Sequence, residues 1–219
     1  MELQVGKYDT IINRQIMITS KKELRFYIMA DSMMNRGYFK RSLMQRLKEC
    51  FLPDPIMDYL RTMRKLSYYS YKNTPPHLWY YLSKYQRLGR KLGFSIGHSV
   101  FGYGLVIPHW GTIVVGAPNT IGNYAVLHTS VCITANNKTI GNALYVSTGA
   151  KMTSKIVLGD NVTIAANSVV NRSNENGNVL LVGAPAQVKR NDIAWYYREE
   201  SDYKKRVEQI EKLRINLSL

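Results

Sequence analysis

Residues 115–170 read VGAPNT-IGNYAV-LHTSVC-ITANNKT-IGNALY-VSTGAK-MTSKIV-LGDNVT-IAANSV-V when the chain is divided at its large aliphatic side chains. These side chains recur every six residues, with one step of seven, at Val115, Ile121, Leu127, Ile133, Ile140, Val146, Met152, Leu158, Ile164 and Val170. A shorter run before them has the same spacing, at Phe101, Ile107 and Ile113. Neither the helix period nor the strand period produces steps of six. A hexapeptide repeat of this kind is typical of a parallel β-helix, in which short flat faces meet at tight turns.

The residue after the repeated aliphatic is often small or turn-prone, as at Gly122, Gly141, Ser147, Gly159 and Ala165. Such residues fit corners where the backbone turns sharply and a large side chain would collide. The pattern therefore predicts a mainly β fold with a β-helix over residues 93–190. It is preceded by a basic, Tyr-rich helical segment over residues 1–92 and followed by a C-terminal helix over residues 191–219.

Local signals place the helices outside the repeats. Ser20 and Glu23 have the spacing of a capping box, and Asp54-Pro55 has the order of an N-cap followed by a first-turn proline. Pro75-Pro76 is expected to end that second helix, and a third is predicted from about Leu78 to a stop at Gly93. The C-terminal helix is predicted from an N-cap at Asn191 to about Leu217.

The bulk composition limits the setting and the partners. The net charge is +15, and residues 1–92 hold 18 Lys/Arg against 7 Asp/Glu, so an anionic partner is expected for that segment. Cys50 and Cys132 are the only cysteines and give no disulfide framework, which favours a reducing, cytoplasmic location. No apolar stretch is long enough for a membrane span, and no signal peptide is recognised. Peripheral contact with the inner membrane face stays open.

Four histidines are the candidate proton carriers: His77, His98, His109 and His128. His109 lies at an expected corner between Pro108 and Trp110, and His128 directly follows the repeat residue Leu127. Each could also be an ordinary turn residue. The wide spacing of the histidines and the lack of a nearby Cys pair, Asp or Glu argue against a metal site. No nucleophile elbow or phosphate-binding loop occurs either.

The run 107–116, IPHWGTIVVG, resembles the histidine-bearing corner of serine acetyltransferases. The later runs 147–151, 164–170 and 182–186 resemble the later turns and the closing Gly-x-Pro-Ala of that family. Together they cover about residues 94–190 and imply a left-handed β-helix acyltransferase that uses acetyl-CoA, without a metal and as a homotrimer. The resemblance makes His109 the general base and places His128 against the acceptor or the thioester. It assigns coenzyme contacts to Gly149, Ala150, Ala165, Ala166, Ala184, Pro185, Lys189 and Arg190.

The chain also departs from serine acetyltransferases. Their Asp-Ile-His-Pro run reads Ser95-Ile96-Gly97-His98 here, and the loop with their second active-site histidine is missing between Ile133 and Ile140. In its shortened loop and its basic, Tyr-rich leader, the chain more closely resembles the serine-acetyltransferase-like proteins of bacterial capsule and surface-polysaccharide clusters. That likeness favours an acetyl acceptor on a surface-glycan sugar or its precursor.

Two alternatives stay open. The first is acetyl transfer to serine in cysteine biosynthesis, which an assay with serine would separate from sugar acetylation. The second is a non-catalytic β-helix scaffold or nucleic-acid binder, although nucleic acid is not the expected partner. Tyrosines among the basic residues before the repeats could stack on bases, pack against the β-helix or rest on anionic lipid: Tyr68, Tyr69, Tyr71, Tyr80 and Tyr81.

Overall fold

The structure is a computed structural model that describes residues 16–198 and 202–219. Residues 1–15 of the predicted helical segment lie outside the described residues. Four helices precede the repeats: α1 (Lys21–Arg36), α2 (Leu43–Phe51), α3 (Pro55–Lys72) and α4 (Pro75–Leu92). Short strands follow: β1 (Phe94–Ile96), β2 (Ile113–Val115), β3 (Thr120–Ile121), β4 (Val126–Leu127), β5 (Val131–Ile133), β6 (Thr139–Ile140), β7 (Tyr145–Val146), β8 (Lys151–Met152), β9 (Val157–Leu158), β10 (Val162–Ile164), β11 (Val169–Val170), β12 (Val179–Gly183) and β13 (Ala186–Asn191). A short 3-10 helix (Trp195–Tyr197) and α5 (Tyr203–Asn216) close the described chain.

The strands of the described residues form the three faces of a β-helix of about five turns. One face has the order β1-β2-β5-β8-β11, the second β3-β6-β9, and the third β4-β7-β10-β12-β13. Pairing is parallel throughout, except that β13 folds back antiparallel on β12. The predicted left-handed β-helix with helices on both sides is confirmed.

All ten repeat residues from Val115 to Val170 are buried inside the coils, so the repeat marks the inward position of each face. In the shorter run before Val115, one residue, Ile113, does not occupy the repeat position that its spacing predicts. Ile96, and not Ile113, pairs with Val115, while Ile113 pairs with Phe94. The first turn therefore runs through Ile96, Phe101 and Ile107, and the next corner, which contains His109, is longer than the others.

The helix signals of the first segment largely hold. Ser20 and Glu23 form the capping box of α1, and Asp54 caps α3 with Pro55 in its first turn. The predicted break is confirmed, since α3 ends at Lys72, but α4 already begins at Pro75 and not near Leu78. Prolines fit a first turn, where the missing N–H groups would have had no helical partner. Gly93 ends α4 with a φ of 79°, as predicted.

Helices α1 and α3 close the first end of the β-helix. Apolar side chains of α3, such as Leu60 and Met63, share one continuous core with Ile96, Phe101 and the later coils. A buried ion pair joins the three elements: Arg64 of α3 donates two hydrogen bonds to Asp31 of α1 and two more to the carbonyls of Phe101 and Gly102. The helices therefore fix the position of the first turn.

The C-terminal helix begins at Tyr203, and the N-cap predicted at Asn191 is wrong. Residues 186–191 instead form β13, because the edge of β12 offers unpaired backbone groups that a strand can satisfy. Helix α5 then packs back on the side of the β-helix. Glu211 accepts hydrogen bonds there from the hydroxyls of Tyr103 and Tyr124.

Candidate active site

One corner of the β-helix carries His109, His128 and four of the eight predicted coenzyme-binding residues. It is the corner at which each turn passes from the third face back to the first. Successive turns are joined there by backbone hydrogen bonds: Ser130 N to Thr112 O at 2.6 Å, Gly149 N to Thr129 O at 3.1 Å and Asn167 N to Thr148 O at 2.9 Å. We call this edge, residues 108–112, 128–130, 147–150 and 165–168, the histidine corner.

His109 lies exposed in the long first loop of the histidine corner, and the adjacent Trp110 is 69% exposed. Among the described residues, no side chain or backbone group forms a hydrogen bond with the His109 ring. The backbone N–H groups of His109, Trp110 and Thr112 likewise donate to no other described group. A substrate at this loop would therefore meet a free imidazole and several free backbone donors. Ser95, at the position of the missing aspartate, lies exposed on β1.

His128 is half-buried on the next turn, where its Nε2 is hydrogen-bonded to the hydroxyl of Tyr145 at 2.8 Å. Burial lowers the pKa of His128, and the charge of His109 lowers it further. The two imidazoles therefore lie in one electrostatic neighbourhood, and both effects favour the neutral form of His128. Burial also raises the pKa of Tyr145, which keeps its hydroxyl protonated. With Nε2 occupied, only Nδ1 of His128 is available to a ligand.

A cavity of about 280 Å³ opens beside His128. Its walls come from the third face and from the segment after β13, and they include three aromatic rings and one cation: Val106, Pro108, Val126, His128, Tyr145, Trp195, Arg198 and Tyr203. Arg198 lies 5.3 Å from the centre of the Tyr145 ring and donates to Asp192 at 2.6 Å. This volume is at the small end for ligand pockets, so it suits a compound of few atoms.

Sequence reasoning missed Tyr145, Trp195, Arg198 and Tyr203 as cavity residues. Tyr145 could have been found, because in the repeat register it lies one turn beyond Val126, two residues before His128. The other three come from a segment that had been predicted as one continuous helix. Their position depends on where β13 ends and α5 begins, and no local pattern records that.

The predicted coenzyme residues of the later turns follow the histidine corner. Ala165 is half-buried and Ala166 is exposed, so their small side chains leave an open strip there. Ala150 is fully buried in the coil, and its N–H and carbonyl are hydrogen-bonded to Ser147 and Cys132, so it exposes no atom to a ligand. Gly149 has a φ of +75°, and a Cβ on it would come within 2.1 Å of the Asn167 side chain. Its glycine is thus required by the turn itself.

The remaining predicted coenzyme residues lie beyond the last turn. Ala184 and Pro185 form the exposed connection between β12 and β13. Lys189 and Arg190 are exposed on β13, where the pairing register with β12 shifts. Arg190 pairs with Leu180 near the start of β12, whereas Ala186 pairs with Gly183 at its end.

The other two histidines lie elsewhere. His98 is half-buried at a different corner, and burial lowers its pKa. His77 stacks on Tyr69 with ring centres 4.6 Å apart. Over residues 16–198 and 202–219, no three His, Cys, Asp or Glu side chains are grouped as metal ligands would be.

Comparisons with known proteins point to one family. No family model matches the chain. Serine acetyltransferase of Helicobacter pylori strain J99 is 34% identical over 98 residues, which cover 42% of this chain and 57% of that protein. Serine acetyltransferase of Synechococcus elongatus is 32% identical over 94 residues, 40% of this chain and 38% of that protein. The chain thus matches only about half the length of these curated relatives, or less.

Solved structures of serine acetyltransferases share the fold. The enzyme of Neisseria gonorrhoeae superposes with a TM-score of 0.61 at 20% identity, over 80% of this chain and 69% of that one. Soybean serine acetyltransferase complexed with serine gives 0.59 at 20% identity, over 75% and 69%. A serine acetyltransferase complexed with CoA gives 0.57 at 19% identity, over 76% and 69%. The likeness covers the helices as well as the coils.

Proposed function

We propose that the chain is an acetyl-CoA-dependent O-acetyltransferase that acts at the histidine corner. One observation carries the proposal. His109 and His128 lie on adjacent turns of the histidine corner, and the same corner continues into the small residues Ala165 and Ala166. A proton acceptor and a strip for a long, thin co-substrate thus lie on the same edge. The fold shared with serine acetyltransferases and the sequence relatives support it.

His109 is the proposed general base. Its exposed ring forms no hydrogen bond with a described residue, so it can take the proton of an acceptor hydroxyl. Acetyl-CoA supplies the activated acyl group as a thioester. The deprotonated oxygen attacks the thioester carbonyl directly and forms a tetrahedral intermediate. Its collapse breaks the C–S bond, and CoA leaves as the thiol after taking the proton from His109, so no covalent enzyme intermediate is needed. The free N–H groups of Trp110 and Thr112 are the candidates to stabilise the oxyanion.

The other predicted residues take supporting parts in this proposal. His128, neutral and held by Tyr145, presents Nδ1 to the acceptor or the thioester. Ala165 and Ala166 leave room for the pantetheine arm, and Ala184 and Pro185 flank the adenine. Lys189 and Arg190 pair with its phosphates, since cations bind phosphate strongly.

Serine is the proposed acceptor. Sequence analysis favoured a surface-glycan sugar, but the curated relatives are serine acetyltransferases, and one of the similar structures holds serine. These findings favour the alternative, with a place in cysteine biosynthesis.

One observation keeps a sugar hydroxyl as the second candidate for the acetyl acceptor. The cavity beside His128 has aromatic walls and no Asp or Glu among its lining residues. The ammonium group of serine would meet no carboxylate there, whereas a sugar needs none. The surface-polysaccharide context and a cytoplasmic location remain predictions.

A homotrimer is proposed as the active form. The resemblance to left-handed β-helix acyltransferases implies this assembly, and Trp110, largely exposed beside His109, is free to contact a neighbouring subunit.

Thiol release from acetyl-CoA tests the function. The purified protein is mixed with acetyl-CoA and either serine or a panel of free and nucleotide-linked sugars, and free CoA is followed over time. Acceptor-dependent release with serine is expected. Release with sugars alone would move the acceptor to the second candidate. Absence of release with both classes would contradict the enzyme proposal in favour of a scaffold.

A further inference from the structure

Helix α2 exposes its apolar face to the outside, whereas an ordinary surface helix exposes its polar face. None of its residues is buried, and its large apolar side chains are strongly exposed: Leu43 at 75%, Met44 at 74%, Leu47 at 53% and Phe51 at 86%. Its charged Glu49 points inward and pairs with Arg41 and Arg61. A helix that ties its polar side to the protein and shows its apolar side to the outside is built to contact something apolar.

The apolar side chains of α2 form a single stripe. At about 100° per residue, Leu43, Leu47, Phe51 and Met44 span about 100° of the helix circumference. Arg46 and Lys48 fall on the two borders of that stripe. An apolar stripe bordered by cations is the arrangement of a helix that lies in the headgroup region of a membrane.

A cationic groove continues from α2 along the same side of the molecule. It is a cavity of about 890 Å³ that lies between α1, α2, α3 and α5. Eight of its lining residues are Lys or Arg and none is Asp or Glu; the cations are Lys21, Lys22, Arg25, Lys40, Arg41, Arg46, Arg61 and Lys65. Of these, only Arg41 and Arg61 have ion-pair partners among the described residues.

We propose that α2 and the cationic groove form one binding surface for an anionic phospholipid membrane. Phe51, Leu47 and their neighbours enter the headgroup and acyl boundary, while the cations of the groove and of the stripe borders meet lipid phosphates. Arg46 belongs to both parts and joins them. Binding of this kind is peripheral, since none of the described helices is long and apolar enough to cross a membrane.

Charge and size favour a membrane over a second copy of the chain. The groove would bring like charges together in a self-contact, which opposes association. A helix of nine residues also presents far less than the roughly 800 Å² per partner of a stable protein interface.

Some of the tyrosines that were expected to contact lipid headgroups pack against other side chains of the protein. Tyr68 is buried, and Tyr69 stacks between Tyr81 and His77. The structure thus assigns the membrane contact to Leu, Met and Phe of α2 and not to the tyrosines of α3.

Vesicle co-sedimentation tests the surface without reference to any enzyme activity. The whole protein is mixed with vesicles of phosphatidylcholine alone or with phosphatidylglycerol, at low and high salt. Wild type is expected to sediment with the anionic vesicles at low salt and to be released at high salt. Leu47→Ser/Phe51→Ser is expected to weaken apparent vesicle affinity by about tenfold or more, because two large apolar side chains lose their burial.

Matched variants separate the two parts of the surface. Lys22→Glu/Arg46→Glu should abolish binding, while Lys212→Glu on α5 and the exposed Ile193→Ser should bind as wild type does. A polarity-sensitive dye on the exposed Cys50, in a Cys132→Ser background, should report an apolar environment with anionic vesicles only. Because α2 buries no side chain, the variants should unfold at the wild-type temperature.

Three results would overturn the proposal. The first is wild type that stays in the supernatant with anionic vesicles at low salt. The second is a Leu47→Ser/Phe51→Ser variant that binds as tightly as wild type. The third is a different oligomeric state of Leu47→Ser/Phe51→Ser, measured by light scattering, together with no vesicle binding by the wild type. That result would assign α2 to a contact between copies of the chain. Binding of polyglutamate but not of vesicles would point to an acidic protein instead.

Discussion

His109 and His128 occupy adjacent turns of the same corner, and their surroundings give them different properties. His128 is half-buried and bonded to Tyr145, and its pKa lies below the usual value. His109 is exposed and forms no hydrogen bond within the described chain. A base must exchange its proton with the acceptor, so the unbonded imidazole is the better candidate and the bonded one a fixed contact.

His109→Ala is expected to lower kcat by about 10²–10⁴-fold, the usual contribution of a positioned proton acceptor. Steady-state thiol release measures it, and light scattering checks that the oligomer persists. His77→Ala removes a histidine that only stacks on Tyr69 and should keep wild-type activity. If His109→Ala stays within a few-fold of wild type, the base must be sought elsewhere at the corner.

Corners of the β-helix are shaped by two separate demands on the backbone. Gly122, Gly141 and Gly159 follow a repeat aliphatic, and a Cβ at each would come within 2.8 Å of the next turn. The left-handed backbone falls two residues later, at Tyr124, Ala143, Asn161 and, on the histidine corner, Ser130 and Asn167. The small residues are thus needed for close approach between turns and not for their φ.

Ala166→Trp is expected to raise the KM for acetyl-CoA with little change in folding, because Ala166 is exposed and the indole would project into the proposed strip. Initial rates at varied acetyl-CoA, with CoA affinity by calorimetry, measure the effect. Thr153→Trp adds the same ring at an exposed residue of a different corner and should leave the KM unchanged. Unaltered CoA affinity in Ala166→Trp would move the pantetheine arm off this strip.

The whole molecule depends on how the helices are attached to the first turn. Arg64 and Asp31 are each 1% exposed, and Asp31 also accepts hydrogen bonds from the N–H groups of Gly104 and Leu105. Every charged atom of the pair is therefore satisfied. Removing one partner leaves the other buried without compensation.

Arg64→Met is expected to lower the free energy of unfolding by about 3–5 kcal/mol, the usual cost of an orphaned buried charge. Chemical denaturation followed by circular dichroism measures it. Lys72→Met on the exposed end of the same helix should change stability by about 0.5 kcal/mol or less. Adding Asp31→Leu to Arg64→Met should recover part of the loss, and additive losses would show that the pair is not coupled.

The sequence by itself determined the β-helix, because each turn repeats the same short-range requirement. A large aliphatic must point inward, and a small or turn-prone residue often follows it at the corner. The histidine corner follows from the same register, since His109, His128, Ala165 and Ala166 keep fixed offsets from repeat residues. Helix caps at Ser20, Asp54 and Gly93 were also predictable, because a cap is formed by residues adjacent in the chain.

Only the tertiary structure decided where the remaining segments lie. Asn191 has the residue type of a helix cap, yet the free edge of β12 recruits residues 186–191 as a strand, and the helix starts at Tyr203. That shift brings Trp195, Arg198 and Tyr203 to His128 and forms the cavity. The outward apolar stripe of α2 was equally hidden, since a periodic pattern shows that a helix has an apolar side but not which way it faces. Local patterns record what a residue requires of its neighbours in the chain, whereas the partner of an edge or a face is chosen by the rest of the fold.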